Sequence, residues 1–207
     1  MTKLNLYSKK KIFLQIIFSF FLLSVSAGSN DNGENNNLVT LGPDTALVKI
    51  KIFSSFTCPH CASFHFNTLS KLKEEFIEGG KVQIIFIDFP LDQAAFNASK
   101  LLHCTEKNKQ INFMDLVYEN QNKWTNESNI EDINKNLKTI TKKMGITSSQ
   151  FDKCLIDEVV SDKILNGRID ASRKYSINST PTIVINEQKL EGSVTFKNIK
   201  KKIDKII

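Results

Sequence analysis

Residues 47–65 read Leu-Val-Lys-Ile-Lys-Ile-Phe-Ser-Ser-Phe-Thr-Cys-Pro-His-Cys-Ala-Ser-Phe-His, and this stretch decides the fold. An apolar strand pattern runs into the tetrapeptide Cys58-Pro59-His60-Cys61, where a helical pattern begins. Two thiols three positions apart can close and open a disulfide. Unpaired N–H groups and the positive end of the macrodipole at a helix N-terminus favour a thiolate at Cys58. The stretch therefore predicts a redox site.

The same spacing of cysteines also occurs in half of a zinc site. A zinc ribbon needs a second pair of ligands, and the sequence contains no second Cys-x-x-Cys. His65 lies one turn beyond Cys61 on the predicted helix, so a metal cluster of Cys58, Cys61 and His65 stays open as an alternative. Our expectation is a site without metal or cofactor.

The N-terminus has the pattern of a secretory signal peptide. Four lysines come before the apolar stretch 12–25, and small residues follow at Val25-Ser26-Ala27, which predicts cleavage near Ala27. The stretch has 14 residues, whereas a membrane-spanning helix needs roughly 20, so an uncleaved anchor is the less favoured alternative. We expect an exported protein, located in the periplasm.

The charge of the chain argues against nucleic acid as a partner. The formal net charge falls from +6 to +2 without residues 1–27, because these contain four lysines and no acidic residue. The remaining lysines are interspersed with acids and form no basic stripe with aromatic residues, so nucleic-acid binding is not expected.

Export also affects how the other two cysteines are interpreted. In an oxidising compartment, an even count of four cysteines suggests that Cys104 and Cys154 pair with each other. Two free buried thiols are the alternative.

The rest of the chain shows a small α/β core interrupted by helices. A polar tether is predicted at 28–37, core segments at 38–91 and 178–207, and a helical insertion at 92–177. Within the core, strands are predicted at 38–41, 46–53, 82–89, 182–185 and 189–192, and helices at 59–78 and 196–206. Insertion helices are predicted at 93–107, 112–121, 130–144, 148–156 and 159–175, with Trp124 in the core of the insertion.

Three segments together carry a family resemblance. They are the run from Phe56 to His65, the segment Asp88-Phe89-Pro90-Leu91, and Thr180-Pro181-Thr182 before an apolar strand. With these motifs the sequence closely resembles the DsbA family of periplasmic thiol-disulfide oxidoreductases over residues 38–207. The resemblance implies a thioredoxin fold with an inserted helical subdomain, which is an α/β architecture.

The motif and the resemblance assign roles to the site residues. Cys58 is expected to be the exposed nucleophile and Cys61 the buried partner that resolves mixed disulfides. Pro59 and His60 complete the motif, and His60 is expected to stabilise the Cys58 thiolate and so make the disulfide a stronger oxidant.

The resemblance adds three further expectations. It implies a cis-proline at Pro181, in a loop where Thr180 and Pro181 contact an extended client. It also implies a second, non-catalytic disulfide between Cys104 and Cys154, as in a branch similar to alphaproteobacterial members. One departure stands out, because Ile52 occupies a position where many members have a buried acid that is thought to move protons.

The expected function is a monomeric, periplasmic oxidase that donates the Cys58–Cys61 disulfide to reduced exported polypeptides. A DsbB-like membrane protein is the expected reoxidant. A disulfide isomerase or reductase, a periplasmic metal-binding protein and a chaperone-like client binder remain alternatives.

Overall fold

The computed structural model describes residues 38–207. The predicted signal peptide (1–27) and tether (28–37) lie outside the described residues. None of the helices between residues 38 and 207 is long and apolar enough to cross a membrane.

The described part of the chain contains a five-stranded sheet in the order β1-β3-β2-β4-β5. β2 and β3 are parallel, and the pairs β1/β3, β2/β4 and β4/β5 are antiparallel. The strands are β1 Val39–Leu41, β2 Val48–Ser54, β3 Val82–Asp88, β4 Thr182–Ile185 and β5 Gln188–Lys189. β2 is therefore central, and the residues that follow it emerge beside the start of β4.

A helical segment at 59–77 connects β2 to its parallel neighbour β3. It consists of α1 (Pro59–Ser63), a π-helical turn (Phe64–Leu69), α2 (Ser70–Leu72) and a second π-helical turn (Lys73–Ile77). A proline at the first helical position suits this start, since its missing N–H would be unpaired there anyway. Gly80, with φ at +69°, lies in the turn that leads into β3.

Six α-helices lie between β3 and β4 in the described chain, as the expected insertion requires. They are α3 Gln93–Cys104, α4 Gln110–Glu119, α5 Gln121–Trp124, α6 Ile130–Thr141, α7 Ser148–Leu155 and α8 Glu158–Tyr175. The side chains of Asp92, Asn129, Thr147 and Asp157 cap four of them by accepting a backbone N–H hydrogen bond. After β5, α9 (Phe196–Ile203) ends the fold.

The insertion shares its core with the sheet. Side chains alternate across a strand, so Val48, Ile50 and Ile52 face one side of β2 and join a continuous core that includes Phe113 and Trp124 of the insertion. The Trp124 side chain is fully buried, as predicted. A smaller cluster, with Phe53, Phe89, Ala171, Ile177 and Val184, covers the opposite side.

A disulfide joins α3 to α7. The Sγ atoms of Cys104 and Cys154 are 2.11 Å apart, and the two residues are 50 positions apart in sequence. The structure thus pairs the two cysteines outside the motif, in agreement with the sequence-based expectation.

Several element bounds differ from the predictions. α3 ends at Cys104 rather than 107, because Thr105 adopts an extended conformation. α5 lies partly within the break predicted after residue 121. β5 is shorter and earlier than 189–192, since Asn186 and Glu187 have positive φ angles and form a tight two-residue turn that pairs Gln188 at once with Ile185.

Candidate active site

The two cysteines of the motif lie at the junction of β2 and α1. Cys58 is the N-cap residue in an extended conformation, and its N–H donates to the carbonyl of Ser55 at 3.1 Å. The Cys58 carbonyl accepts from the N–H groups of Cys61 (3.0 Å) and Ala62 (3.2 Å). Both Cys58 and Cys61 are free thiols. The start of the helix therefore sets the position of the first sulfur.

The loop before β4 lies against this sulfur. The Thr180–Pro181 peptide bond is cis, as the resemblance implied. Because β4 pairs with β2 and places Thr182 opposite Phe53, the loop reaches the end of β2. The Cys58 thiol donates a hydrogen bond to the Thr180 carbonyl at 3.3 Å.

Both thiols are more enclosed than the sequence suggested. Cys58 is 6% exposed and Cys61 is 2% exposed. The expectation that Cys58 would be openly exposed is therefore wrong, and the adjacent Thr180 loop gives a physical reason. Cys61 is the more deeply buried of the two, in the order expected.

The pKa values of the two thiols are shifted in opposite directions. A hydrogen bond from the Cys61 thiol, more than any other cause, lowers the pKa of Cys58 to about 5, and the backbone N–H groups of Cys61 and His60 act in the same direction. The same Cys58–Cys61 interaction, followed by burial, raises the pKa of Cys61 far above its usual range. At neutral pH, Cys58 is therefore a thiolate and Cys61 keeps its proton.

The Thr180 hydroxyl contributes to the low pKa of Cys58. Its Oγ1 is buried and has no hydrogen-bond partner among residues 38–207. The Cys58 thiol uses the Thr180 carbonyl as an acceptor, but a thiolate accepts hydrogen bonds and needs donors. Thr180 also lowers the pKa of Cys58, which fits a hydroxyl that is available to donate once the sulfur is ionised.

The insertion holds the cysteine loop through two residues that sequence reasoning missed. The Gln121 side-chain amide donates to the carbonyls of Phe56 (2.7 Å) and Cys58 (3.1 Å). The Thr57 hydroxyl donates to Asp92 at 2.7 Å, while the other carboxylate oxygen of Asp92 caps α3. Asp92 has a sequence signal as a helix cap, but nothing in the sequence marks Gln121.

Position 52 carries no group that can exchange a proton. The Ile52 side chain is 1% exposed, and its cross-strand partners are Phe86 and Ile183. Two positions beyond Phe86, the carboxylate of Asp88 lies 2.6 Å from Nε2 of His103, within hydrogen-bond distance. Burial raises the pKa of Tyr118, whose ring lies 5.0 Å from that of Phe56, so this phenol stays protonated.

The two histidines near the motif have different environments. His65 is buried, and its Nε2 lies 2.6 Å from Asp115 Oδ1. In the described part of the chain, no group of three or more potential metal ligands converges, so the structure does not bring His65 to the two thiols as a metal site. His60 is exposed on the first turn of α1. The effect of its ring on Cys58 stays a prediction.

A profile of the thioredoxin family, described as "Thioredoxin", matches residues 34–205. The chain belongs to the thioredoxin family. It is 31% identical to a Bacillus cereus protein named "Probable disulfide bond formation protein D", with coverage of 96% of this chain and 97% of the relative.

Solved structures show the same fold. Alpha-DsbA1 of Wolbachia pipientis is 30% identical, with a TM-score of 0.72, and the match covers 82% of this chain and 90% of the other. A protein-disulfide isomerase from Novosphingobium aromaticivorans has a TM-score of 0.75 at 20% identity, over 82% and 96% of the two chains, and supports the fold alone. The protein is thus a DsbA-like protein-disulfide oxidoreductase with a helical insertion in a thioredoxin fold.

Proposed function

We propose that this protein acts as an oxidase, which donates the Cys58–Cys61 disulfide to reduced exported polypeptides in the periplasm. The observation that carries the proposal is that the pKa values of the two thiols are shifted in opposite directions, to about 5 for Cys58 and above the usual range for Cys61. A stable Cys58 thiolate stabilises the reduced protein. A disulfide whose reduced form is stabilised in this way gives up its bond readily and is a strong oxidant.

The transfer proceeds in two exchanges. A client thiolate attacks Cys58 Sγ, the Cys58–Cys61 bond breaks, and Cys61 leaves and takes up a proton. A second client thiolate then attacks the client sulfur of the mixed disulfide, and Cys58 leaves as a thiolate. The client loses two electrons and the enzyme pair gains them. Of the two protons that the client thiols lose, one ends on Cys61 and the other enters solvent.

Cys61 also resolves unproductive complexes. When no second client thiol is available, Cys61 attacks Cys58 in the mixed disulfide, re-forms the enzyme disulfide and releases the client as a thiol. Burial also raises the pKa of Cys61, so the attacking Cys61 thiolate is scarce at neutral pH, and this favours completion of the forward transfer.

The other motif residues support the nucleophile and the client. Pro59 fixes the backbone at the first helical position. Pro181 has no N–H and Thr180 lies against Cys58, so the two residues present a backbone edge along which an extended client can lie, as in strand addition. A positive charge on the His60 ring, within the motif, would stabilise the thiolate further.

The proposed location in the cell follows from the predicted signal peptide. We propose a monomer that is exported with cleavage near Ala27. Each transfer leaves Cys58 and Cys61 reduced, so a membrane protein similar to DsbB is the proposed reoxidant. The word "formation" in the name of the Bacillus cereus relative agrees with the oxidising direction.

Transfer to a reduced client protein tests the function. Oxidised protein is mixed with reduced, unfolded ribonuclease, and the loss of client thiols is followed together with recovered ribonuclease activity. We expect about one client disulfide for each oxidised enzyme, and none with Cys58→Ser. Efficient reshuffling of scrambled ribonuclease without net transfer would instead indicate an isomerase.

A further inference from the structure

A groove of about 530 Å³ runs beside the motif between the first helical segment and the insertion. Pro59, Ala62 and Phe66 contribute to one wall, and Tyr118, Glu119 and Gln121 contribute to the other. We call this feature the insertion groove. Its volume lies within the roughly 300–1,000 Å³ that is typical of ligand sites, and it is large enough for several residues of an extended peptide.

We propose that the insertion groove binds the client segment next to the reacting cysteine and selects a segment with one apolar and one basic side chain. This inference rests on the proposed function, because the occupant is the client itself. The Phe66 ring would contact the apolar side chain and the Glu119 carboxylate would contact the lysine or arginine.

The groove lies next to the reacting cysteine, and this position identifies the client as its occupant. Pro59 follows Cys58 directly and lines the groove, and Gln121, which also lines it, donates to the Cys58 carbonyl at 3.1 Å. The groove therefore begins at the residues next to Cys58, within reach of a chain that is joined to the Cys58 sulfur. The walls come from the first helical segment and the α4–α5 corner, whereas the Thr180 carbonyl contacts the sulfur from the loop before β4. The groove therefore provides a client contact in addition to that loop.

The chemistry of the walls defines what the groove selects. Phe66 is 42% exposed although it is a large aromatic residue, and covering its ring would remove apolar surface from water. Eight positions separate it from Cys58, which corresponds to about 12 Å along a helix, or a few residues of an extended client. Across the groove, the exposed Glu119 carries the negative charge that favours a basic side chain.

The wall formed by the insertion is held in place relative to the thiols. Gln121 donates to the carbonyls of Phe56 and Cys58 at 2.7 and 3.1 Å, and the Tyr118 ring lies 5.0 Å from that of Phe56. These contacts connect the α4–α5 corner directly to the loop that carries the nucleophile. A preformed groove costs little ordering on binding, so the insertion can act as a selectivity element.

Peptide oxidation kinetics test the groove. The substrates are four Cys-x-x-Cys peptides, which carry Leu and Lys, Ser and Lys, Leu and Glu, or Ser and Glu. These residues are placed before the cysteines in one series and after them in another. The second-order rate constant for reduction of the oxidised protein by each peptide is divided by the same variant's rate constant with dithiothreitol. We expect the wild-type protein to prefer the Leu and Lys peptide of one series about tenfold, which corresponds to about 1.4 kcal/mol.

Two variants probe the two walls. Phe66→Ser should remove most of the preference for Leu, and Glu119→Lys should reverse the preference between Lys and Glu. Matched controls are Ile169→Ser, which changes an apolar side chain on α8 that is 43% exposed, and Glu131→Lys on α6; both should keep the wild-type preference. Equal rates for all peptides with the wild-type protein, or a preference that survives both groove variants, would overturn the proposal.

A titration separates this inference from the proposed function. Peptides with serine in place of both cysteines are added to the protein, and amide NMR shifts around Phe66 and Glu119 are followed. Stronger shifts with the Leu and Lys peptide support the groove even if the protein fails to oxidise dithiothreitol, a failure that would reject only the oxidase. Oxidation of dithiothreitol without a difference between the peptides in either readout rejects only the groove.

Discussion

The Thr180 hydroxyl offers a direct test of how the fold sets the acidity of the nucleophile. Thr180 Oγ1 is buried without a hydrogen-bond partner in the described part of the chain, next to a thiol with a pKa of about 5. Valine removes this hydroxyl and keeps the branched shape. We expect the pKa of Cys58 to rise in Thr180→Val, because the thiolate loses a donor while the thiol keeps the Thr180 carbonyl as its acceptor.

The size of the effect follows from one charge-assisted hydrogen bond. Such a bond contributes about 1.5–3 kcal/mol, and one pKa unit corresponds to about 1.4 kcal/mol. The pKa of Cys58 should therefore rise by about one to two units. It should stay below the ordinary 9.0, because the Cys61 thiol and the backbone N–H groups still stabilise the thiolate. The reduced form loses the same free energy, so the potential should fall by about 30–60 mV.

Titration of the thiolate absorbance in reduced protein measures this pKa, and equilibration with glutathione buffers measures the potential. Thr180→Ser is the matched control, since it keeps a hydroxyl at the same position and should keep a pKa close to 5. An unchanged pKa in Thr180→Val would refute the reasoning. So would a rise in Thr180→Ser as large as that in Thr180→Val, because steric changes in the loop would then explain both.

Three further predictions concern stability. The lowered pKa of Cys58 stabilises the reduced folded protein fully above pH 9.0, and this stabilisation is lost as pH falls through about 5. The Tm of the reduced protein should therefore rise relative to that of the oxidised protein as pH increases across that window. A constant difference between the two Tm values would contradict this. Replacing both Cys104 and Cys154 with alanine should lower the free energy of unfolding by up to about 4 kcal/mol, measured with denaturant, because the disulfide closes a loop of 50 residues. Gln121→Leu should cost about 1–3 kcal/mol in the same assay, since two loop carbonyls lose their donor, whereas Asn122→Leu at the adjacent exposed position should cost less than half as much.

Local patterns account for much of the fold. Apolar alternation and runs predicted all five strands of the described sheet, although not all of their bounds. The helix at the motif was predictable from its period and from Pro59 at its first position. The prediction of a buried Trp124 was also correct, although the residue lies in a predicted break between helices, because tryptophan side chains are highly buried on average. Element ends were less accurate, because they depend on the conformation of single residues such as Thr105.

The sequence by itself also determined which residues can do chemistry: two cysteines at a strand-to-helix junction, and a Thr-Pro pair before an apolar strand. Only the tertiary structure decided how acidic Cys58 is and how enclosed it lies. Thr180 is 122 positions away from Cys58, and Gln121 is 63 positions away. Pairing of β2 with β4 brings the first residue to the sulfur, and packing of the insertion brings the second. Periodicity reports which face of an element is apolar, whereas these polar contacts depend on how separate elements meet.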